Sequence, residues 1–167
     1  AEMICLPGCA TRIESNRHNL LAKSETEADS QSLNILQQTA KTHGCWLLVG
    51  SLLLRADHQN DRMVNRCFLI QPDGNIRAHY DKIHMFDVEV NDGQTYRESH
   101  IFDHGHQAAL VEMGGWKLGL TIRYDLRFPH LYRQLAQAGA DMITIPAAFT
   151  KVTGEAHWHP LMRARAI

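Results

Sequence analysis

The apolar run Leu118-Gly119-Leu120-Thr121-Ile122 passes directly into Arg123-Tyr124-Asp125-Leu126-Arg127-Phe128-Pro129, a charged turn that ends on a helix-starting proline. A strand-to-helix elbow of this kind presents its first residue and aims backbone N–H groups at a ligand, the geometry from which nucleophile elbows and oxyanion holes are built. Arg123 occupies the presented position. A guanidinium keeps its proton in proteins, so it serves as neither nucleophile nor base, and the elbow arginine is read as the partner of a carboxylate. Tyr80-Asp81-Lys82-Ile83-His84 closes a second strand where it enters a long loop. A lysine emerging into a cleft there stabilises a developing oxyanion or holds an anion; its ordinary reading is a solvated strand end.

Eleven histidines raise the question of a metal, chiefly at His104-Gly105-His106 and His157-Trp158-His159. Spacing i, i+2 in a strand places both rings on one face, but no third ligand is specified, so no metal site is expected. Cys9, beside Gly8, has no neighbouring base and reads as a small buried residue rather than a nucleophile.

The elements that must position these residues alternate between strand and helix. Glu2 to Pro7 is strand-like, residues 8–30 are polar and aperiodic, and Asp29 or Ser30 caps a helix with apolar positions Leu33, Leu36 and Ala40 that ends at Gly44. Cys45 to Leu54 is an almost continuous apolar run, suited to a strand covered on both faces. Met63–Ile70 and Ile76–Tyr80 flank Pro72-Asp73-Gly74 as a hairpin. Ile83 to Gln107, rich in acidic residues and histidine, reads as a long functional loop. A second hairpin spans Ala108–Met113 and Trp116–Ile122, a helix follows Pro129 and ends at Gly139, and Asp141–Ile145 is a further strand. This alternation argues for an α/β layered fold in a single domain, residues 1–167. Both ends read as cut, since the chain opens in a strand without an initiator Met and closes among helix formers at Leu161–Ile167 without a C-cap.

The composition narrows the function classes. Seventeen basic against eighteen acidic residues give a formal net charge of -1, without the positive field that nucleic-acid binding requires. A hydrophobic fraction of 44% is ordinary for a globular chain, and no apolar run approaches the roughly 20 residues that span a bilayer. Four cysteines without zinc-type spacing fit free thiols in a reducing, cytoplasmic compartment.

Taken together, Leu6-Pro7 near the start, Tyr80-Asp81-Lys82-Ile83-His84-Met85-Phe86-Asp87, Tyr96-Arg97-Glu98-Ser99, Gly119-Leu120-Thr121-Ile122 with Tyr124-Asp125-Leu126-Arg127-Phe128-Pro129, and His157-Trp158 with Arg163-Ala164-Arg165-Ala166-Ile167 resemble the nitrilase (carbon–nitrogen hydrolase) superfamily. The resemblance runs the length of the chain and is greatest to the omega-amidase and deaminated-glutathione amidase branch. It implies an α-β-β-α sandwich, incomplete at both ends here, and hydrolysis of small linear amides through a Cys thioester with no metal or organic cofactor. It also implies a small-molecule amide or carboxylate as partner and association into homodimers. Carried over residue by residue, Lys82 stands at the oxyanion lysine, Glu98 at the second glutamate, and the Tyr124 backbone N–H at the oxyanion hole. Two positions depart: Gly8 stands where the general-base Glu belongs, and Arg123 where the nucleophilic Cys belongs.

Thioester formation needs a thiolate and a proton acceptor, and removing either member of such a unit costs several powers of ten in rate. The chain is therefore expected to be inactive or strongly impaired. Arg123 also brings a permanent cation toward Lys82, a repulsion of order 4 kcal/mol at about 4 Å and an effective dielectric of 20. The expected resolution is an Arg123–Glu98 pair or a Lys82–Glu98–Arg123 cluster. The rival readings are a pseudoenzyme that holds an anionic carboxylate, and a remnant without function.

Overall fold

The computed structural model describes residues 1–14, 16–56, 61–89 and 95–167. The elements are β1 (Met3–Cys5), α1 (Arg17–Lys23), α2 (Gln31–His43), β2 (Trp46–Arg55), β3 (Met63–Ile70), β4 (Ile76–Asp81), β5 (Asp87–Glu89), β6 (Thr95–Arg97), β7 (Phe102–Asp103), β8 (Ala109–Met113), β9 (Trp116–Leu120), α3 (Pro129–Gln137), β10 (Met142–Thr144) and α4 (Lys151–Ala166), with 3₁₀ turns at Glu98–His100 and Arg123–Arg127.

Period-two alternation sorts the strand residues between two cores. Cys67 and Leu69 of β3, Leu48 of β2 and Tyr80 of β4 face Val111, Met113, Leu118 and Leu120 of a second sheet. Their neighbours Leu47, Val49, Phe68 and Ile70 face the opposite way, onto Leu33 and Ala40 of α2. The first sheet runs β1-β2-β3-β4, with β7 alongside β3; β1 is parallel to β2, and β2, β3 and β4 are mutually antiparallel. The second runs β10-β9-β8, with its outer face covered by Leu131, Tyr132 and Leu135 of α3 and by Trp158, Leu161 and Met162 of α4. The layers are helix, sheet, sheet, helix, as the resemblance implies.

Local chemistry explains the termini of α2. The Ser30 side chain accepts from Leu33 N, and Gly44 closes the helix in the left-handed region at φ 58°. Two segments differ from the sequence reading. Residues 8–30 contain α1, capped by Asn16 and anchored by buried Leu20, a seven-residue helix too short to show periodicity. The span 83–107 is not a continuous loop: Asp87–Glu89 pairs antiparallel with Thr95–Arg97. Residues 90–94 of that span lie outside the described residues.

A third difference concerns histidine. His157 and His159 lie in α4, where i, i+2 residues project about 200° apart, so no shared face exists. The rings of His104 and His106 meet edge to face at 4.6 Å, but the nearby Asp103, Asp81 and Glu27 are occupied by Arg62 and Arg66. Among the described residues no His/Cys/Asp/Glu group could hold a metal ion.

One glycine fixes how the amino-terminal segment meets the first sheet. The β2–β3 register shifts between Val49 and Leu52, and there a Cβ on Gly50 would lie 2.3 Å from the backbone oxygen of Leu6. Backbone cannot withdraw cheaply. Gly50→Ala is expected to cost about 1–3 kcal/mol, read as a lower urea midpoint at unchanged m-value.

Candidate active site

The segment Leu6–Ala10 is laid across the bulge of β2. Leu6 N donates to Leu48 O at 2.8 Å, Ala10 N to Ser51 O at 2.9 Å, and Cys9 N to the buried Ser51 Oγ at 2.9 Å. Between them Gly8 faces the elbow of the second sheet. A Cβ on Gly8 would lie 3.2 Å from Arg123 Nε, 3.6 Å from Pro146 O and 3.7 Å from Ser51 Oγ. Gly8 and Arg123, the two positions singled out by the sequence resemblance, therefore face each other.

The elbow is built as its sequence suggests. After β9, Arg123 takes φ 50° and donates its N–H to Pro146 O at 3.1 Å. A left-handed conformation in a non-glycine residue costs on the order of 1–2 kcal/mol and persists where the surroundings enforce it. Asp125 enforces it. This fully buried carboxylate accepts from Ile122 N and Tyr80 Oη, both at 2.8 Å, and from His84 N at 3.2 Å, while His84 Nδ1 approaches to 2.7 Å. Burial, then the Asp125 charge, pushes the Tyr80 phenol well above its ordinary range, so it remains a donor. The His84 ring stacks on Phe128 with centroids 3.6 Å apart. Sequence reasoning missed this hub; its only local signal is an acid at the third position of a turn that follows an apolar strand.

Lys82 is not a solvated strand end. It is 1% exposed, and its Nζ donates to Glu98 Oε2 and to His84 O, the latter at 2.6 Å. Glu98 Oε2 also accepts from Phe86 N at 2.6 Å. Lys82 Nζ lies 5.8 Å from the centre of the Tyr124 ring, so strand end and elbow adjoin. Lys82, Glu98, Arg123 and Tyr124 line one cavity of about 510 Å³, with Cys9 and Asn65.

The expected charge cluster forms only in half. Lys82 and Glu98 pair, but among the described residues no ion pair joins Arg123 to Glu98, and Arg123 Nε is buried with no hydrogen-bond partner. Glu98 Oε2 is held by Lys82 and by Phe86 N, while the Arg123 side chain lies against Gly8, where the absence of a Cβ leaves room for it.

Cys9 lies at the same cavity with φ 54°. Burial pushes its thiol up, a larger effect than the lowering by the nearby Arg123 charge. The thiol is therefore protonated near neutrality. Iodoacetamide at pH 7 is expected to label exposed Cys5 before Cys9, as peptide mass mapping would show.

Comparison with known proteins finds related sequences and structures. The profile of the family described as carbon-nitrogen hydrolase matches residues 1–167. The chain is 41% identical over 154 residues to a protein named deaminated glutathione amidase from Yersinia enterocolitica, covering 92% of this chain and 52% of that protein. It is 36% identical to the protein of the same name from Dictyostelium discoideum, covering 99% and 58%. The chain thus spans about half the length of these curated relatives. Among solved structures, the C. elegans NitFhit protein superposes with a TM-score of 0.88 at 34% identity, over 99% of this chain and 40% of that one. Saccharomyces cerevisiae Nit3, a member of branch 10 of the nitrilase superfamily, superposes with a TM-score of 0.85 at 27% identity, over 99% and 58%.

Proposed function

From the premise that the chain belongs to the carbon–nitrogen hydrolase family, we propose that it is an amidase-type member that has lost acyl transfer. Its lineage hydrolysed small linear amides of the deaminated-glutathione or omega-amide type. Lys82 keeps the place of the oxyanion lysine, Glu98 that of the second glutamate, and the Tyr124 N–H that of the oxyanion hole. Gly8 and Arg123 stand at the general-base and nucleophile positions and supply neither function.

The observation that carries this reading is the 3.2 Å approach between Arg123 Nε and the Cβ position of Gly8. In an active site that space would hold a thiol with its proton acceptor; here it holds a group that neither attacks carbon nor takes a proton. Lys82 and Glu98 without them polarise an amide but form no bond to it. The four free thiols support assignment to a reducing, cytoplasmic compartment. Residues 1–167 act as one domain, small-molecule amides or carboxylates are its partners, no cofactor is required, and dimers are its expected assembly.

Incubation of the purified protein with deaminated glutathione or another omega-amide tests the proposal. No ammonia above the protein-free blank is expected. Steady release proportional to protein concentration overturns it.

A further inference from the structure

We propose that the cavity is a binding site for a small carboxylate, anchored by the unpartnered guanidinium of Arg123 and selected by Asn65, with an apolar body against the aromatic wall. This deepens the reading of the site as inactive and rests on it.

Three observations support the assignment. First, the cation available to a ligand is Arg123 and not Lys82. Lys82 Nζ is held by Glu98 and His84 O, and the Glu98 carboxylate offsets its charge inside the protein. Arg123 Nε, in contrast, is buried at the cavity and makes no hydrogen bond. A buried donor without a partner is costly, and a guanidinium matches a carboxylate through two parallel N–H···O bonds. A ligand that supplies two oxygens removes that cost.

Second, Asn65 repeats the pattern. Its side chain is 2% exposed, it lines the same cavity, and its Oδ1 is buried with no partner. Two residues with orphaned polar atoms of opposite character, a donor on Arg123 and an acceptor on Asn65, thus line one cavity. The complementary ligand carries an anionic acceptor and, elsewhere on it, a hydroxyl or N–H donor.

Third, the remaining wall is apolar and aromatic. Phe86, Tyr96, Tyr124 and Phe149 line the cavity, and Phe86 meets both Tyr96 and Tyr124 at about 5 Å between ring centres. A volume of about 510 Å³ lies within the usual range for small-molecule sites. The acid, and not the amide, is the preferred form, because a neutral amide offers Arg123 one oxygen without charge.

Calorimetric titration of the full chain tests this with three probes: 3-(4-hydroxyphenyl)propanoate, its neutral counterpart 3-(4-hydroxyphenyl)propanamide, and 3-phenylpropanoate, which lacks the donor. The hydroxy acid is expected to bind with a dissociation constant below about 1 mM, at least tenfold more tightly than the amide and roughly threefold more tightly than the deoxy acid. Arg123→Gln should abolish the preference for acid over amide, and Asn65→Leu only the preference for the hydroxyl. Circular dichroism establishes that each variant is folded, and the ratio of acid to amide in the unaltered protein decides the matter without any variant. Equal affinity for acid and amide, an acid preference that survives Arg123→Gln, or no binding of any probe at millimolar concentration overturns the inference. Ammonia measured from the propanamide in the same samples keeps the two proposals apart: release overturns inactivity, whereas absent release with equal affinities overturns carboxylate binding alone.

Discussion

Replacing Gly8 by Glu and Arg123 by Cys together is expected to raise amide hydrolysis at least a hundredfold above either single variant. The elbow already presents position 123 from a left-handed residue, and a side chain at position 8 already points at it. A positioned general base contributes about 10²–10⁴ in rate, and without one the thiol at position 123 remains protonated and slow. Arg123→Cys alone should therefore give no turnover. Gly8→Glu alone should also be inactive for a different reason: the new carboxylate would lie beside the orphaned Arg123 Nε and form an ion pair with it. That variant should be more resistant to urea than the parent. Ammonia release from a linear omega-amide ranks the four proteins, and a double variant no faster than Arg123→Cys would show that the two positions do not form the catalytic pair.

Asp125→Ala is expected to cost about 3–5 kcal/mol of stability, the range for removing one partner from a buried charged network. The substitution strands Tyr80 Oη, Ile122 N and His84 N in the interior at once. Tyr80→Phe removes one of these donors, and Asp125 keeps the others, so its cost should be near 1–2 kcal/mol. Urea denaturation of the two variants measures both. A loss below about 1 kcal/mol for Asp125→Ala would mean that water or a rearranged elbow satisfies those groups. Because Tyr80 belongs to the first sheet and Asp125 to the turn that follows β9 of the second, the damaged protein should also lose protection of β4 amides in hydrogen exchange.

Much of the fold could be read from local signals. Ser30 and Gly44 delimit α2, Pro72-Asp73-Gly74 places the first hairpin, and Pro129 opens α3, because caps and turns are decided by residues close in sequence. The layer order follows from alternation along β2 and β3. What failed depended on distant or weak signals. The α4 helix carries Gly154 and Pro160 and buries no residue fully, so His157 and His159 gave no helical pattern to correct their assumed strand spacing. The short β5–β6 pair has three residues on each side, too few to show alternation amid charges.

The candidate site divides in the same way. Lys82, Glu98, Arg123 and Tyr124 were named together because each sits in a recognisable run of neighbours, and all four line one cavity. The partner of Arg123 was not. Glu98 turns instead to Lys82 and Phe86 N, and the guanidinium lies against Gly8, placements that spacing along the chain does not encode. Asp125 was invisible for a related reason: nothing local distinguishes a fully buried aspartate from a turn aspartate facing water.

The hydrogen bonds that hold the elbow have a bearing on how this chain tolerates a change of residue at position 123. Arg123 is fixed through its main-chain N–H to Pro146 and through the Asp125 bonds on either side of it, while its side chain makes no hydrogen bond that secures the turn. The architecture is thus insulated from the identity of the reagent it displays. Such a position can be rewritten by drift or by design without unravelling its surroundings, so the framework and the side chain it displays can change independently.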